Sequence, residues 1–402
     1  MIASIKAAEN GAEVFLLEKM ERVGKKMLIT GKGRCNITNN ADIPTIIKNI
    51  KGNGRFLNSS IYAFTNEDVI KFFNLNGVET KVERGGRVFP LSDKAVDAVN
   101  AMEKRMNELN VHLLFKTPVR HIIAHEATAC GVVIENGDTI HADCVIIATG
   151  GASYPRTGST GDGARMSQEL GHHIRPLLPA LVPLETEEDW SHTLQGLSLK
   201  NVNVKLLADK DKIAEEFGEM MFTHFGVTGP IILSLSRDAV LAIENKSFVE
   251  LLINLKPALT PEKLRMRIDR DFKSNPAKSI KNVLHLLLPM RLIEPVLDLS
   301  YINDDKKVNQ ISKDERKRLC DVIQHLTLTV TSPRPIEEAI VTIGGVSTQE
   351  VNPKTMESKI IHNLYFAGEV MDIDGLTGGY NLQAAFSTGA AAGYYSSINS
   401  TI

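Results

Sequence analysis

Cysteine, one-sided charge and long apolar runs are all scarce in this 402-residue sequence. The four cysteines, Cys35, Cys130, Cys144 and Cys320, are far apart and form neither a CxxC pair nor a Cys/His pattern. That excludes a disulfide scaffold and points to a reduced, intracellular protein. His172-His173 has no partner at ligand spacing, so no metal is expected. Lys and Arg number 46 against 48 for Asp and Glu, a net charge of −2, and no block of basic residues stands out. Non-specific nucleic-acid or membrane-surface binding is therefore not expected. No apolar run reaches the length of about 18 residues that a membrane span needs. The opening MIASIKAAENGAEV has no basic stretch followed by an apolar one, so a cytoplasmic location is expected. What remains is ordinary globular composition, 43% hydrophobic and 23% charged. Its length exceeds the roughly 250–300 residues at which one core stops growing, so two or three domains are expected.

Also lacking is the front half of a nucleotide-binding unit. Residues 2–9 (IASIKAAE) read as a helix stopped by Gly11, and residues 13–17 (EVFLL) as a short buried strand ending on Glu18. In a dinucleotide-binding βαβ unit a first strand and a GxGxxG loop precede such a helix, and an acid about 20 residues on takes the ribose hydroxyls. Helix, second strand and acid are here; first strand and glycine loop are not. A solvated strand end is the bland alternative for Glu18.

Residues 24–40 (GKKMLITGKGRCNITNN) are dense in Gly, Asn, Thr and cations, and read as a loop whose backbone donors wrap an anion. Lys25, Lys26, Lys32 and Arg34 could offset a pyrophosphate, with Cys35, Asn36 and Thr38 as small contacts; an incidental surface loop is the alternative. Residues 117–125, 130–134 and 138–142 alternate as antiparallel strands. They lead to the apolar run 144–148, which ends in Thr149-Gly150-Gly151, where backbone can approach a bulky group.

The C-terminal end is the most telling. Residues 361–367 (IHNLYFA) read as a buried strand, Gly368-Glu369 end it, and residues 375–383 (GLTGGYNLQ) form a glycine loop entering a helix over 384–393. The acid can accept from ribityl hydroxyls. The helix start, with its free donors and dipole, can face the flavin pyrimidine, where negative charge accumulates on reduction.

In the middle, residues 197–207 and 247–255 alternate as strands, while 260–324 is charged and helical, opened by Thr260-Pro261-Glu262. The loop FTHFGVTGP (222–230) places His224 between aromatics. His224 can donate a proton near neutral pH, for example to a carbanion left by hydride transfer to C=C; a histidine that merely fixes a turn is the bland alternative.

Five ordered blocks, GKKMLITGKGRCNITN, ATGG followed by TGSTGDG, FTHFGVTGP, TIGGVS and LYFAGEVMDIDGLTGGYNLQAAFSTG, resemble the BaiN-like, aminoacetone-oxidase-like family of NAD(P)/FAD-dependent oxidoreductases along the whole chain. The resemblance implies an α/β, two-dinucleotide-binding-type FAD fold, Rossmann-like, with an inserted β domain carrying a helical subdomain. The expected division is 1–183 and 348–402 for the FAD domain, 184–256 and 326–347 for the β domain, and 257–325 for the helical insertion. Glu18 would take the adenosine ribose, with Lys19 and Arg34 near adenosine or phosphate. Cys35, read from the residue itself, could lie close to the flavin, with a buried packing cysteine as the bland alternative. Val119 would meet adenine through its backbone, and Thr149-Gly150 would pass close to the cofactor. Gly368 and Glu369 would reach the ribityl chain or pyrophosphate, and Gly379, Tyr380, Asn381, Leu382 and Gln383 would face the isoalloxazine. Family members open with a hydrophobic strand and GGGPAG, and Met1 aligns just after the last of these glycines, so an N-terminal truncation is expected.

The activity implied is hydride transfer between flavin N5 and a small or steroid-like organic substrate, with FAD bound and NAD(P)H visiting transiently. Two other classes stay open. A flavin-dependent RNA-modifying protein would use the excess of Lys/Arg over acids between Lys256 and Lys281. A flavin-free remnant acting as a binding protein would explain the missing glycine loop.

Overall fold

The computed structural model describes residues 1–399, which separate into two compact units: Met1–Pro179 with the chain from Ile336 onward, and Ala180–Pro335. The first unit opens with β1 (Phe15–Glu18), β2 (Thr38–Asn39), β3 (Thr80–Val82), β4 (Arg87–Pro90) and β5 (His112–Phe115). It continues with β6 (Val119–His125), β7 (Thr128–Ile134), β8 (Thr139–His141), β9 (Val145–Ile147) and β10 (Ile174–Ala180). The second unit holds β11 (Leu184–Thr186), β12 (Ser198–Ala208), β13 (Asp211–Phe222), β14 (Gly226–Thr228), β15 (Val249–Asn254) and β16 (Leu326–Pro333). The return to the first unit adds β17 (Val341–Val346) and β18 (Leu364–Phe366). This is an α/β architecture with an inserted β domain, as the sequence leads one to expect.

In the first unit the helix Ile2–Glu9 buries Ile2, Ala3, Ile5 and Ala7, while Lys6 and Glu9 pair on its outer side at 2.8 Å. It packs on the C-terminal helix Tyr380–Asn399, whose composition is set by that contact. A Cβ on Gly389 would stand 2.5 Å from the Ile2 side chain, and one on Gly393 would stand 2.2 Å from the Ala3 carbonyl oxygen. Only glycine lets the two backbones come this close.

β1 pairs in parallel with β5, and β9 in parallel with β18. An antiparallel bridge between Glu357 and Tyr365 closes the second edge of β18. Among the described residues no strand pairs with the second edge of β1 or of β9. Phe15, at the head of β1, is accordingly 46% exposed, which is unusual for an apolar residue of a parallel strand. β6, β7 and β8 form the expected antiparallel meander.

Segment 24–40 differs from expectation. It is not a loop throughout but a short helix, Lys25–Ile29, then a 3-10 turn, Thr30–Gly33, then β2, which pairs with β4. Gly31, Lys32 and Gly33 lie in the left-handed region at φ 58°, 59° and 83°, which stops the helix. The C-terminal glycine loop also ends sooner than expected, since Tyr380 to Gln383 already form the first turn of the helix.

The second unit is built on a closed barrel in the order β11-β14-β13-β12-β15-β16. Alternate residues fill it, among them Val204, Leu206, Leu251, Ile253 and Leu328, and the helix Pro230–Glu244 adds Ile231, Ile232 and Leu235. β13 has no sequence signature because its acids fall on both sides and Ile213 and Phe217 point outward. The helical insertion opens as expected: the Thr260 hydroxyl accepts from Lys263 N at 3.3 Å, with Pro261 at the first helical position. No helix among the described residues is long and apolar enough to cross a membrane.

Candidate cofactor site

In open parallel sheets, ligands bind beyond the carboxyl ends of the strands. Three groups of residues gather at those ends in the first unit. Glu18 ends β1, and its Oε1 accepts from Met20 N at 2.9 Å, which turns the chain. Lys19 reaches Thr160 and Asp162. A Cβ on Gly158 would lie 3.7 Å from Glu18 Oε1 and 3.1 Å from Met20 Cγ. The exit of β1 therefore faces the segment that follows β9.

The second group surrounds Glu369, just past β18. Its Oε2 accepts from Lys26 Nζ at 2.6 Å and its Oε1 from Thr342 N at 2.7 Å. Lys26 also donates to Ser153 Oγ at 2.8 Å, and Thr342 Oγ1 accepts from Ala152 N and Ser153 N at 2.9 and 3.1 Å. Gly150 sits beside this cluster at φ 75°, where a Cβ would be 2.9 Å from Ser159 Oγ and 3.9 Å from Glu369 Oε2. Ala148 and Thr149 are exposed immediately after buried Ile147, so the end of β9 is open.

The third group is the start of the helix Tyr380–Asn399. Asn381 clasps Gly375 through both amide atoms, accepting from its N at 2.7 Å and donating to its O at 2.8 Å. Thr38 Oγ1 donates to Gln383 Oε1, and Gln383 Nε2 donates to Phe64 O and Ser387 Oγ. Asn39 Nδ2 donates to Gly378 O at 2.9 Å. Gly379, at φ 96°, lies so close to Thr38 that a Cβ would meet its C and O at 2.4 Å. The RCNITNN stretch thus clamps the TGGYNLQ turn. Burial raises the Tyr380 hydroxyl above its ordinary value.

The other expected residues have neighbours of their own. Arg34 is held by Glu83 and Asp93 and stacks over Phe89 at 4.1 Å, and these carboxylates raise its already high basicity. Cys35 is wholly buried in the apolar cluster of Ile2, Ile5 and Phe73, and burial pushes its thiol up to about 11. Leu382 packs against the same cluster. Val119 opens β6 opposite Ile134. Gly368 N donates to Thr388 Oγ1, which ties the exit of β18 to the C-terminal helix. His224, in the second unit, is exposed with its ring edge-on to Phe225 at 5.0 Å. Sequence reading missed Ser153 and Thr342 as partners of Glu369; their only signal is position, two residues past ATGG and at the head of TIGGVS, 189 residues apart.

The donor set fits a dinucleotide. Carboxylates stand at the ends of β1 and β18, the end of β9 is bare backbone, and the amides of Tyr380, Asn381 and Leu382 precede the first intrahelical bond, Gln383 N to Gly379 O. Hydroxyls have acceptors and anionic oxygens have donors. Fold and donor set together fit a flavoprotein of the two-dinucleotide-binding class.

Comparison with known proteins narrows this further. The family described as HI0933-like protein Rossmann domain matches residues 1–395, and the chain belongs to it, among the FAD-dependent oxidoreductases. The chain is 31% identical over 396 residues to a 3-dehydro-bile acid delta(4,6)-reductase of Clostridium scindens, covering 98% of this chain and 95% of the relative. It is 30% identical over 389 residues to the ribosomal RNA dihydrouridine synthase of Escherichia coli, covering 96% and 93%. Among solved structures it resembles a 3-ketosteroid delta1-dehydrogenase from Sterolibacterium denitrificans, with TM-score 0.53, 12% identity and coverage of 99% and 97%. It also resembles the E. coli quinol fumarate reductase, with TM-score 0.51, 14% identity and coverage of 100% and 69%. At such identities the two structures share the fold alone.

Proposed function

We propose that this enzyme reduces a C=C bond conjugated to a carbonyl group. The observation that carries the proposal is full-length likeness to two relatives whose names describe one chemistry on different molecules. A delta(4,6)-reductase of a 3-dehydro bile acid saturates carbon–carbon bonds conjugated to the C3 ketone. Dihydrouridine is uridine with two hydrogens added across the ring C=C beside a carbonyl.

FAD, when bound, supplies hydride from N5, with NAD(P)H as the transient reductant. The chain's residues hold and charge-match it. Glu18 would accept from ribose hydroxyls, Glu369 from the ribityl chain, and Thr149-Gly150 would give close backbone approach. The start of the helix at Tyr380 directs amide donors and a positive dipole end at the negative charge that reduction brings. His224 is the proposed proton donor of the second unit. The small-molecule reading suits the near-neutral charge, and four unpaired cysteines suit the cytoplasm.

RNA as substrate is a second reading. Exposed Lys263, Arg265, Arg270 and Lys273 on the helix Pro261–Lys273 support it, together with the synthase relative. One anaerobic experiment separates the readings. Protein loaded with FAD and reduced is mixed with a 3-oxo-4,6-diene steroid acid or with unmodified ribosomal RNA. Reoxidation of the flavin by the steroid supports the first reading and by RNA the second; reoxidation by neither removes conjugated C=C bonds as the substrate class.

A further inference from the structure

Four cations of segment 24–40 are candidates to meet a dinucleotide, and the structure separates them. Lys25 turns to Glu21 at 2.9 Å, Lys32 is exposed beyond the helix, and Arg34 is held by Glu83 and Asp93. Lys26 alone of the four is directed to the carboxyl ends of β9 and β18. It bonds Glu369 at 2.6 Å and Ser153 at 2.8 Å, and only about a quarter of its side chain is exposed.

This pairing changes what Glu369 can do. Unneutralised, a carboxylate beside a bound pyrophosphate repels it. Neutralised by Lys26, and fixed through its other oxygen by Thr342 N, it still has lone pairs for a hydroxyl while the pair as a whole carries no net charge. Ser153 receives the same ammonium and so registers the exit of β9 against that of β18.

We propose that Lys26 is a cofactor-positioning residue, the counter-charge that lets Glu369 stand beside an anionic dinucleotide. The inference rests on the flavin reading and adds a specific residue and its electrostatic role. It requires an asymmetry. Removing Lys26 strips a cation and also unmasks Glu369, whereas removing both charges does only the first.

FAD affinity, read by quenching of flavin fluorescence in the full chain, tests this with Lys26→Met, Glu369→Gln, the double variant and Lys26→Arg. The Lys26→Met variant should bind FAD about tenfold more weakly or worse, the order expected for loss of a charge-assisted partner. The double variant should bind more tightly than Lys26→Met alone, and Lys26→Arg should recover much of the affinity. Should Lys26→Met not fold, Lys26→Gln serves through ionic strength: its affinity should fall less steeply with salt than that of the unmodified chain. Unchanged affinity in Lys26→Met, a double variant as weak as the sum of its parts, or equal salt slopes would each overturn the role of Lys26. An unmodified chain that binds no FAD would instead overturn the flavin reading itself.

Discussion

Thr38 Oγ1 donates a hydrogen bond to Gln383 Oε1 at 2.5 Å, joining two segments 345 residues apart. Both side chains are buried, so the bond has no water to replace it. Thr38→Val keeps the shape and removes the donor. We expect a loss of about 1–3 kcal/mol, the cost of a buried acceptor left unpaired, visible as a lower urea midpoint with unchanged slope. FAD retention should fall as well, because the same bond fixes the helix start. A midpoint equal to that of the unmodified chain would mean the clamp contributes nothing.

Two glycines with similar backbone angles offer a controlled comparison. Gly379 (φ 96°) has Thr38 backbone at 2.4 Å from the position of a Cβ, whereas Gly11 (φ 88°) has nothing within 4 Å. Gly11→Ala should cost about 1–2 kcal/mol, the strain of a left-handed alanine. Gly379→Ala should cost distinctly more, because backbone must also move. Thermal unfolding of the two variants decides it, and equal losses would contradict the close approach seen here.

His172 predicts a pH effect. It is buried, with Nε2 2.8 Å from Ser358 Oγ and Nδ1 3.2 Å from Ser167 O, and burial lowers its pKa below the ordinary 6.5. The unfolded chain then takes up a proton near pH 6.5 that the native chain refuses until lower pH. Stability from this residue is complete above about pH 6.5 and declines as pH falls toward the native value. Urea midpoints at pH 7.5 and 5.5 should differ, lower at 5.5, and His172→Gln should narrow the difference. An unchanged difference in that variant would assign the effect to other groups.

Cys35 should be chemically silent. Its thiol is buried and pushed up to about 11, so iodoacetamide at pH 8 should leave it unmodified in native protein and label it in urea, as read by mass spectrometry. Labelling of the native protein would place this cysteine in an open site.

Local pattern made much of this fold legible. The helix Ile2–Glu9, the meander β6–β8, β18 and the Thr260 cap follow from periodicity and capping chemistry that act within a few residues. The barrel was only half visible, because β13 carries acids on both sides and apolar side chains facing out. The site was legible as motifs but not as contacts. RCNITNN reads as polar and cationic whether it wraps an anion or clamps a turn, and only the tertiary fold shows Thr38 and Asn39 bonded to Gln383 and Gly378. Arg34 reads as a lone cation until Glu83 and Asp93, 49 and 59 residues on, are brought beside it.

The central claim, that this chain is an FAD-dependent enzyme, is tested most directly by the visible absorption spectrum of the purified protein after incubation with FAD and desalting. Flavin bands at close to one FAD per chain are expected. A folded, cooperatively melting protein that emerges colourless would contradict it.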